Sequence, residues 1–357
     1  MSFIVKAVKG IVKGIVNVVK SVVKAIGNVI SAVIDFVASP FLSLFGSPGG
    51  VDDASEAARQ QGILIQQQGS NISIPVVYGY RKLAGAVTYA ETGSTENKYL
   101  WVAYTFAEGT VEGLREIFLD DNQLPAGIIA NLNAGQTVDV AEGKYSGRVK
   151  LQWFPGTFYA NPSDSPVGTR SILADAPSWK TTMHHNGLAV LFARYEWKEV
   201  ITQDDADNNP FGGGIPVVQI SMLGRRVAAL TTSASESVTY GGAGYTERYS
   251  INPAEILLDY LRNPRYGKGL SNGEIEWGSF RTAAQKANQT VTYITGITGP
   301  ILTTNTVLDT GQTLFNNTKI LLANFRAYLP YVQGKYKLKI EDAGDPNDIT
   351  SGVASIV

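Results

Sequence analysis

The chain contains no cysteine, which excludes a disulfide framework, thiolate zinc sites and a cysteine nucleophile. It has two histidines, adjacent at His184 and His185. Neighbours on a strand point to opposite faces, so the pair does not read as a metal site. Long apolar runs are missing from its start. Lys6, Lys9, Lys13, Lys20 and Lys24 interrupt each one until about residue 29, so the start fits neither a secretory signal, with a core of about 7–15 apolar residues, nor a spanning helix of about 20. Those lysines precede the first acid, Asp35, so the net charge of −1 conceals a basic start and an acidic remainder. That remainder shows no basic stripe of the kind that tracks a phosphate backbone, which argues against a dedicated nucleic-acid binder, and no sequence-specific nucleic-acid binding is expected.

Catalytic signatures are equally sparse. Gly212-Gly213-Gly214 lacks the lysine and the helix of a phosphate loop. Asp204, Asp205, Asp207 and Asn208 lack the spacing of a calcium loop and read as a solvated turn. Glu108, Glu112 and Glu116 recur every four residues, but Gly109 and Gly113 favour a turn over a helix, and no acid–base partner is suggested. Trp153, Phe154, Phe158, Tyr159 and Trp179 would give a carbohydrate-active enzyme an aromatic surface, yet no pair of carboxylates accompanies them. The expectation is a chain that is not an enzyme and that holds no cofactor or metal.

What the sequence does have is a heptad seam. Val5, Val12, Val19, Ile26 and Val33 occupy one position of it, and Val8, Ile15, Val22, Val29 and Phe36 the position three residues on. This is the pattern of a coiled coil, and its mostly β-branched seam favours three or more strands over two. Ile4, Ile11, Val18, Val16, Val23, Ile30 and Val37 widen the apolar face beyond what a dimer covers. A helix from Phe3 to Ala38 would span ~54 Å at about 1.5 Å per residue, and its valines and glycines make it dependent on partners. The competing reading lays residues 3–38 on a membrane surface, lysines opposite the apolar face.

Beyond the seam the sequence predicts an α+β chain in which β predominates, preceded by a long hydrophobic coiled-coil-like helix. The segments are a helix over 1–46, a linker over 47–70, β domains over 71–120 and 186–250, an irregular insertion over 121–185 and an α+β domain over 251–357 ending in a hairpin. Strands are read at Ile74–Gly79, Ala86–Ala90, Tyr99–Phe106, Leu114–Leu119, Leu188–Lys198 and Ile215–Leu223, from period-two alternation between turn residues. Asn252-Pro253 is a helix start, with Asn252 as N-cap and Pro253 at the first helical position. Further helices are read over Glu274–Asn288 and Thr310–Asn324, and a hairpin turns at Gln333-Gly334.

Four stretches carry a resemblance. The helix Ile256–Arg262 followed by Asn263-Pro264-Arg265-Tyr266-Gly267 resembles a motif of lambda-type tail tip attachment proteins, the central tail hubs of long-tailed bacteriophages. Glu108-Gly109 through Gly113 resembles that family's "EGxIxG" turn, Ile74–Arg81 its entry strand, and Ile301–Asn305 the start of the segment that leads to its closing hairpin. The resemblance covers roughly residues 70–120 and 185–342. It implies a virion protein at the tail tip, assembled in the host cytoplasm. There a homotrimer would close the tail tube and act in host attachment and genome ejection, against distal tail, tail tube and tape measure proteins. The seam would then bundle on the tail axis. The alternative is a membrane-active protein whose N-terminal helix is the effector. Family members continue well past the equivalent of Val357 into receptor-binding regions, so receptor recognition is not expected of this stretch.

Overall fold

The computed structural model describes residues 67–68, 72–94, 98–197, 209–211, 214–230, 238–242, 244–292 and 296–341. The seam residues Val5, Val8, Val12, Ile15, Val19, Val22, Ile26, Val29, Val33 and Phe36 lie outside these, as do Asp204 to Asn208 and Gly212-Gly213.

The strands in chain order are β1 Gln67–Gln68, β2 Val76–Tyr78, β3 Tyr80–Ala84, β4 Ala86–Gly93, β5 Tyr99–Glu108, β6 Val111–Leu119, β7 Asn122–Gln123, β8 Thr137–Asp139, β9 Val149–Pro155, β10 Leu188–Glu196, β11 Val218–Ala228 and β12 Glu247–Tyr249. Short pairs follow: β13 Thr290–Thr292, β14 Thr298–Pro300, β15 Thr306–Leu308, β16 Ala327–Tyr328, β17 Tyr331–Val332, β18 Lys335–Tyr336 and β19 Lys339–Ile340. Among the described residues the α-helices are α1 Ala126–Asn133, α2 Val167–Arg170, α3 Pro253–Arg262, α4 Trp277–Ala287 and α5 Leu314–Ala323. Strands outweigh short helices among the described residues, as the period-two alternation predicts.

A six-stranded sheet runs β1-β4-β5-β10-β9-β8, antiparallel except for the β1–β4 pair. A five-stranded sheet runs β12-β11-β6-β7, with β3 also paired to β11. The two sheets share one core: Tyr104 and Phe106 of β5, Leu151 of β9 and Leu191 of β10 pack with Ile117 of β6 and Ile220 and Met222 of β11. The other face of the six-stranded sheet is covered as well, where Trp101 and Phe192 meet Val167, Leu173 and Ala176. With both faces covered, β5 is a nearly continuous buried run rather than an alternating one.

The stretch 121–185 is therefore not an irregular insertion. It supplies β8 and β9 to the sheet, Ile128, Ile129 and Leu132 of α1 to the shared core, and the cover over the outer face. The five aromatics grouped there by sequence are separated by this arrangement. Trp153 lies in the shared core, and Phe154 and Trp179 lie against Phe192 on the outer face. Phe158 is exposed. The five do not form one continuous surface, although Trp153, Phe154 and Tyr159 line one cavity with His185.

A second core is helical. Ile256, Leu257 and Leu261 of α3, Phe280 and Ala284 of α4, and Leu321 of α5 pack with Leu308 and Leu338. Strand β2 divides the two cores by alternation: Val77 points into the first, Val76 and Tyr78 into the second. Helix α3 starts where its cap chemistry puts it, with Asn252 Oδ1 accepting from the Ala254 and Glu255 amides. Asn252 Nδ2 donates to the Ala284 carbonyl and so ties α3 to α4 at 2.9 Å. Asn252→Ala loses the cap and with it the tie to α4, while the Ala284 carbonyl keeps the Asn288 amide, so it is expected to cost about 1–2 kcal/mol. Chemical denaturation of parent and variant checks this.

Candidate functional site

The feature that joins these elements is a buried polar cluster between the two cores. At its centre Arg225 of β11 donates from Nε to Asp259 Oδ2 at 2.9 Å, with Asp259 2% exposed and Arg225 7%. Tyr78 donates to the same oxygen at 2.6 Å, and Tyr240 donates to Asp259 Oδ1 at 2.8 Å. The Tyr240 hydroxyl in turn accepts from Arg225 Nη2 at 2.8 Å and from Asn263 Nδ2 at 3.1 Å. The carboxylate is thus satisfied by three donors, the condition under which a buried charge is tolerated. Burial works against the Arg225 charge, but Asp259 and the surrounding tyrosines offset it and hold its pKa well above the ordinary value. Burial and the Asp259 charge push the Tyr78 phenol well up, so it keeps its proton and remains a donor.

Each sequence stretch that carried the resemblance reaches this cluster or its rim. Asn263 terminates α3, and its Oδ1 accepts from the backbone amides of Arg265 and Tyr266, at 2.8 and 3.2 Å, folding the chain back in an Asx turn. Tyr266 stacks on Tyr260 and lies beneath the Arg225 guanidinium, 5.8 Å from its carbon. Gly267 sits where a Cβ would collide with the carbonyl oxygens of Tyr260 and Asn263. Pro264 lies exposed on the outside of that turn. Arg265 reaches across to Glu108, Nε to Oε1, at 2.8 Å.

Glu108 ends β5. Gly109 after it has φ +86°, and its missing side chain leaves the space that Arg225 occupies. The entry strand contributes Tyr78, and the Tyr80 amide just beyond Gly79 donates to Asn305 Oδ1 at 2.8 Å. Segments far apart in sequence therefore meet at one joint. Glu112 and Glu116 do not join Glu108: Glu112 lies 3.6 Å from Arg226, and Glu116 accepts from the Tyr80 hydroxyl.

Two further charges are buried beside the cluster. Glu255 accepts from the Leu230 amide and from Arg248. Arg262 donates to the Val238 carbonyl and to Asn272, its guanidinium within 5.5 Å of the ring centres of Tyr240, Tyr245 and Trp277. Sequence reading missed Arg225, Asp259, Glu255 and Arg262. A signal existed, because charged residues inside the apolar runs of β11 and α3 need partners.

Burial raises the Glu108 carboxyl above its usual range, against the opposing pull of Arg265 and Arg225. The folded state then holds that proton more tightly than the unfolded chain. Its contribution to stability is full below the unfolded glutamate value, near pH 4, and is lost as pH rises through the folded value. Glu108→Gln keeps the neutral form at every pH, so its stability relative to the parent is expected to rise between pH 4 and pH 7. Thermal melts at the two pH values check the sign.

His185, with φ +42°, stacks on Trp179 at 5.8 Å and lies 3.1 Å from Thr88 Oγ1. Burial lowers its pKa. Among the described residues no group of three or more His, Asp or Glu is arranged to hold a metal ion, and no helix is long and apolar enough to cross a membrane. The polar cluster is a joint: it fixes where the turn 263–267 stands on the sheets.

No protein-family model matches the chain. It is similar to the baseplate hub protein pb3 of Escherichia phage T5, with 22% identity over 318 residues, 75% of this chain and 32% of that protein. The chain thus spans about a third of the length of the curated relative it matches. Among solved structures it is similar to a chain from the virion of a native gene transfer agent particle, at a TM-score of 0.44 and 11% identity, over 88% of this chain and 64% of that one.

Proposed function

We propose that this chain is a structural component of a phage tail, the hub portion of the distal tip of a long-tailed bacteriophage, built on the lambda-type plan. In this reading three copies close the tail tube, bind distal tail and tail tube proteins through their β domains and act in host attachment and genome ejection. The role is non-enzymatic. Residues 3–38 form the trimer's axial bundle, whose surplus apolar flanks face the tape measure protein.

The observation that carries the reading is the similarity to a baseplate hub protein over three quarters of the chain. The convergence of the motif stretches on one buried joint supports it, because a hub must transmit load without its β and helical parts shifting, and a satisfied buried ion cluster fixes a single arrangement. Immunogold labelling of intact virions, with antibody raised against the purified chain, tests it. Label is expected at the distal tail tip alone. Label along the tube or on the capsid, or none in purified virions, would overturn it.

A further inference from the structure

The segment from Phe325 to Ile340 folds as a two-tier ribbon. β16 pairs with β19, Tyr328 opposite Lys339, and β17 pairs with β18, Val332 opposite Lys335. Gln333 and Gly334, both at positive φ, make the tight turn between them. From Lys335 the residues alternate lysine with apolar: Lys335, Lys337 and Lys339 against Tyr336, Leu338 and Ile340. The inner side is anchored. Leu338 is buried in the helical core, the Tyr336 carbonyl accepts from the Glu276 amide at 2.9 Å, and the Leu338 amide donates to Ser279 Oγ at 3.0 Å.

That anchoring sets the three lysines at alternate positions, at most ~6.6 Å apart where the chain is extended at about 3.3 Å per residue, with Lys339 half-buried. Lys335 and Lys337 are exposed, and none of the three is paired with an acid among the described residues. Glu341, at the end of the row, is held by Arg326 at 3.1 Å. Tyr328, 43% exposed, lies on the same face beside Lys339.

We infer that this ribbon face binds a single strand of nucleic acid without regard to sequence. The lysine row tracks the phosphates and Tyr328 offers a ring for a base to stack on. A linear row of unpaired cations with an aromatic interleaved is the arrangement that follows a polyanionic strand. The row is too short to register as a basic stripe in sequence. It becomes one because the alternate residues turn inward, Leu338 buried and Tyr336 and Ile340 half-buried.

The test is fluorescence anisotropy of a labelled oligodeoxythymidine with the full chain, from 50 to 200 mM salt, beside the variant K335Q/K337Q/K339Q. The lysines ahead of Asp35 are common to both proteins, so the difference isolates the ribbon. The variant is expected to bind more weakly and to lose roughly two from the slope of log affinity against log salt, about 0.7 per phosphate contact removed. Tyr328→Ala is expected to weaken binding about tenfold with the slope unchanged, the loss of one stacked base. Circular dichroism melts confirm folding. If the triple variant does not fold, Lys337→Gln alone should lower the slope by about 0.7. Parent-like affinity and slope in the folded variant would overturn the inference. So would binding of the parent to phosphatidylserine vesicles without binding to the oligonucleotide.

Discussion

Arg225→Met is expected to destabilise the chain by about 3–5 kcal/mol, because it keeps the length of the side chain but leaves Asp259 as an uncompensated charge between two cores. In a unit of this size that is a fall on the order of 10 °C in melting midpoint. Tyr78 and Tyr240 would still donate to the carboxylate, but neutral donors do not replace a guanidinium at a buried carboxylate. An exposed pair provides the control. Lys98 lies 2.8 Å from Glu196 with its side chain 49% exposed, and Lys98→Met should cost under about 1 kcal/mol. Equal losses from the two variants in chemical denaturation would mean that the buried cluster does not hold the cores together.

Gly267→Ala is the second large effect. The added Cβ would press on the carbonyl oxygens of Tyr260 and Asn263, both backbone atoms at the end of α3. Backbone cannot swing aside as a side chain can, so the turn after α3 must open, and with it the positions of Tyr266 and Arg265. The cost is expected to reach about 3 kcal/mol, the upper end for overpacking, and the Arg265–Glu108 pair should be lost with it. Gly273→Ala is the comparison, since a Cβ there meets nothing within 4 Å. A Gly267→Ala melt matching that of Gly273→Ala would contradict this account of the motif.

What was legible in the sequence is what local chemistry decides. Asn252-Pro253 announces a helix through the cap oxygen and the preset φ of proline, and the structure starts α3 there. Gln333-Gly334 announces a hairpin, because two residues at positive φ match the strand twist. The entry strand was visible from its alternation, though not that its two sides serve different cores.

The stretch 121–185 misled because Asn161-Pro162, Ser165-Pro166 and Ala176-Pro177 dominate its character, while β8 is only three residues long and the run of β9 was passed over. Strand β11 begins at Val218 rather than Ile215, since Pro216 has no amide to give a ladder. The buried cluster was out of reach for another reason. Tyr78 and Asp259 stand 181 residues apart, and a pairing of that range leaves no periodic trace in either segment. The resemblance supplied the motif residues Asn263 to Gly267 without their reason, which is steric at Gly267 and hydrogen-bonded at Asn263.

Whether the proposed hub works as a trimer is decided by the molar mass of the full chain in solution, measured by light scattering beside Val19→Asp. The parent is expected at three times the 38.3 kDa of one chain, and the variant, with a charge in the apolar seam, at a smaller mass. A parent that stays monomeric and soluble across the concentration range would contradict the trimer.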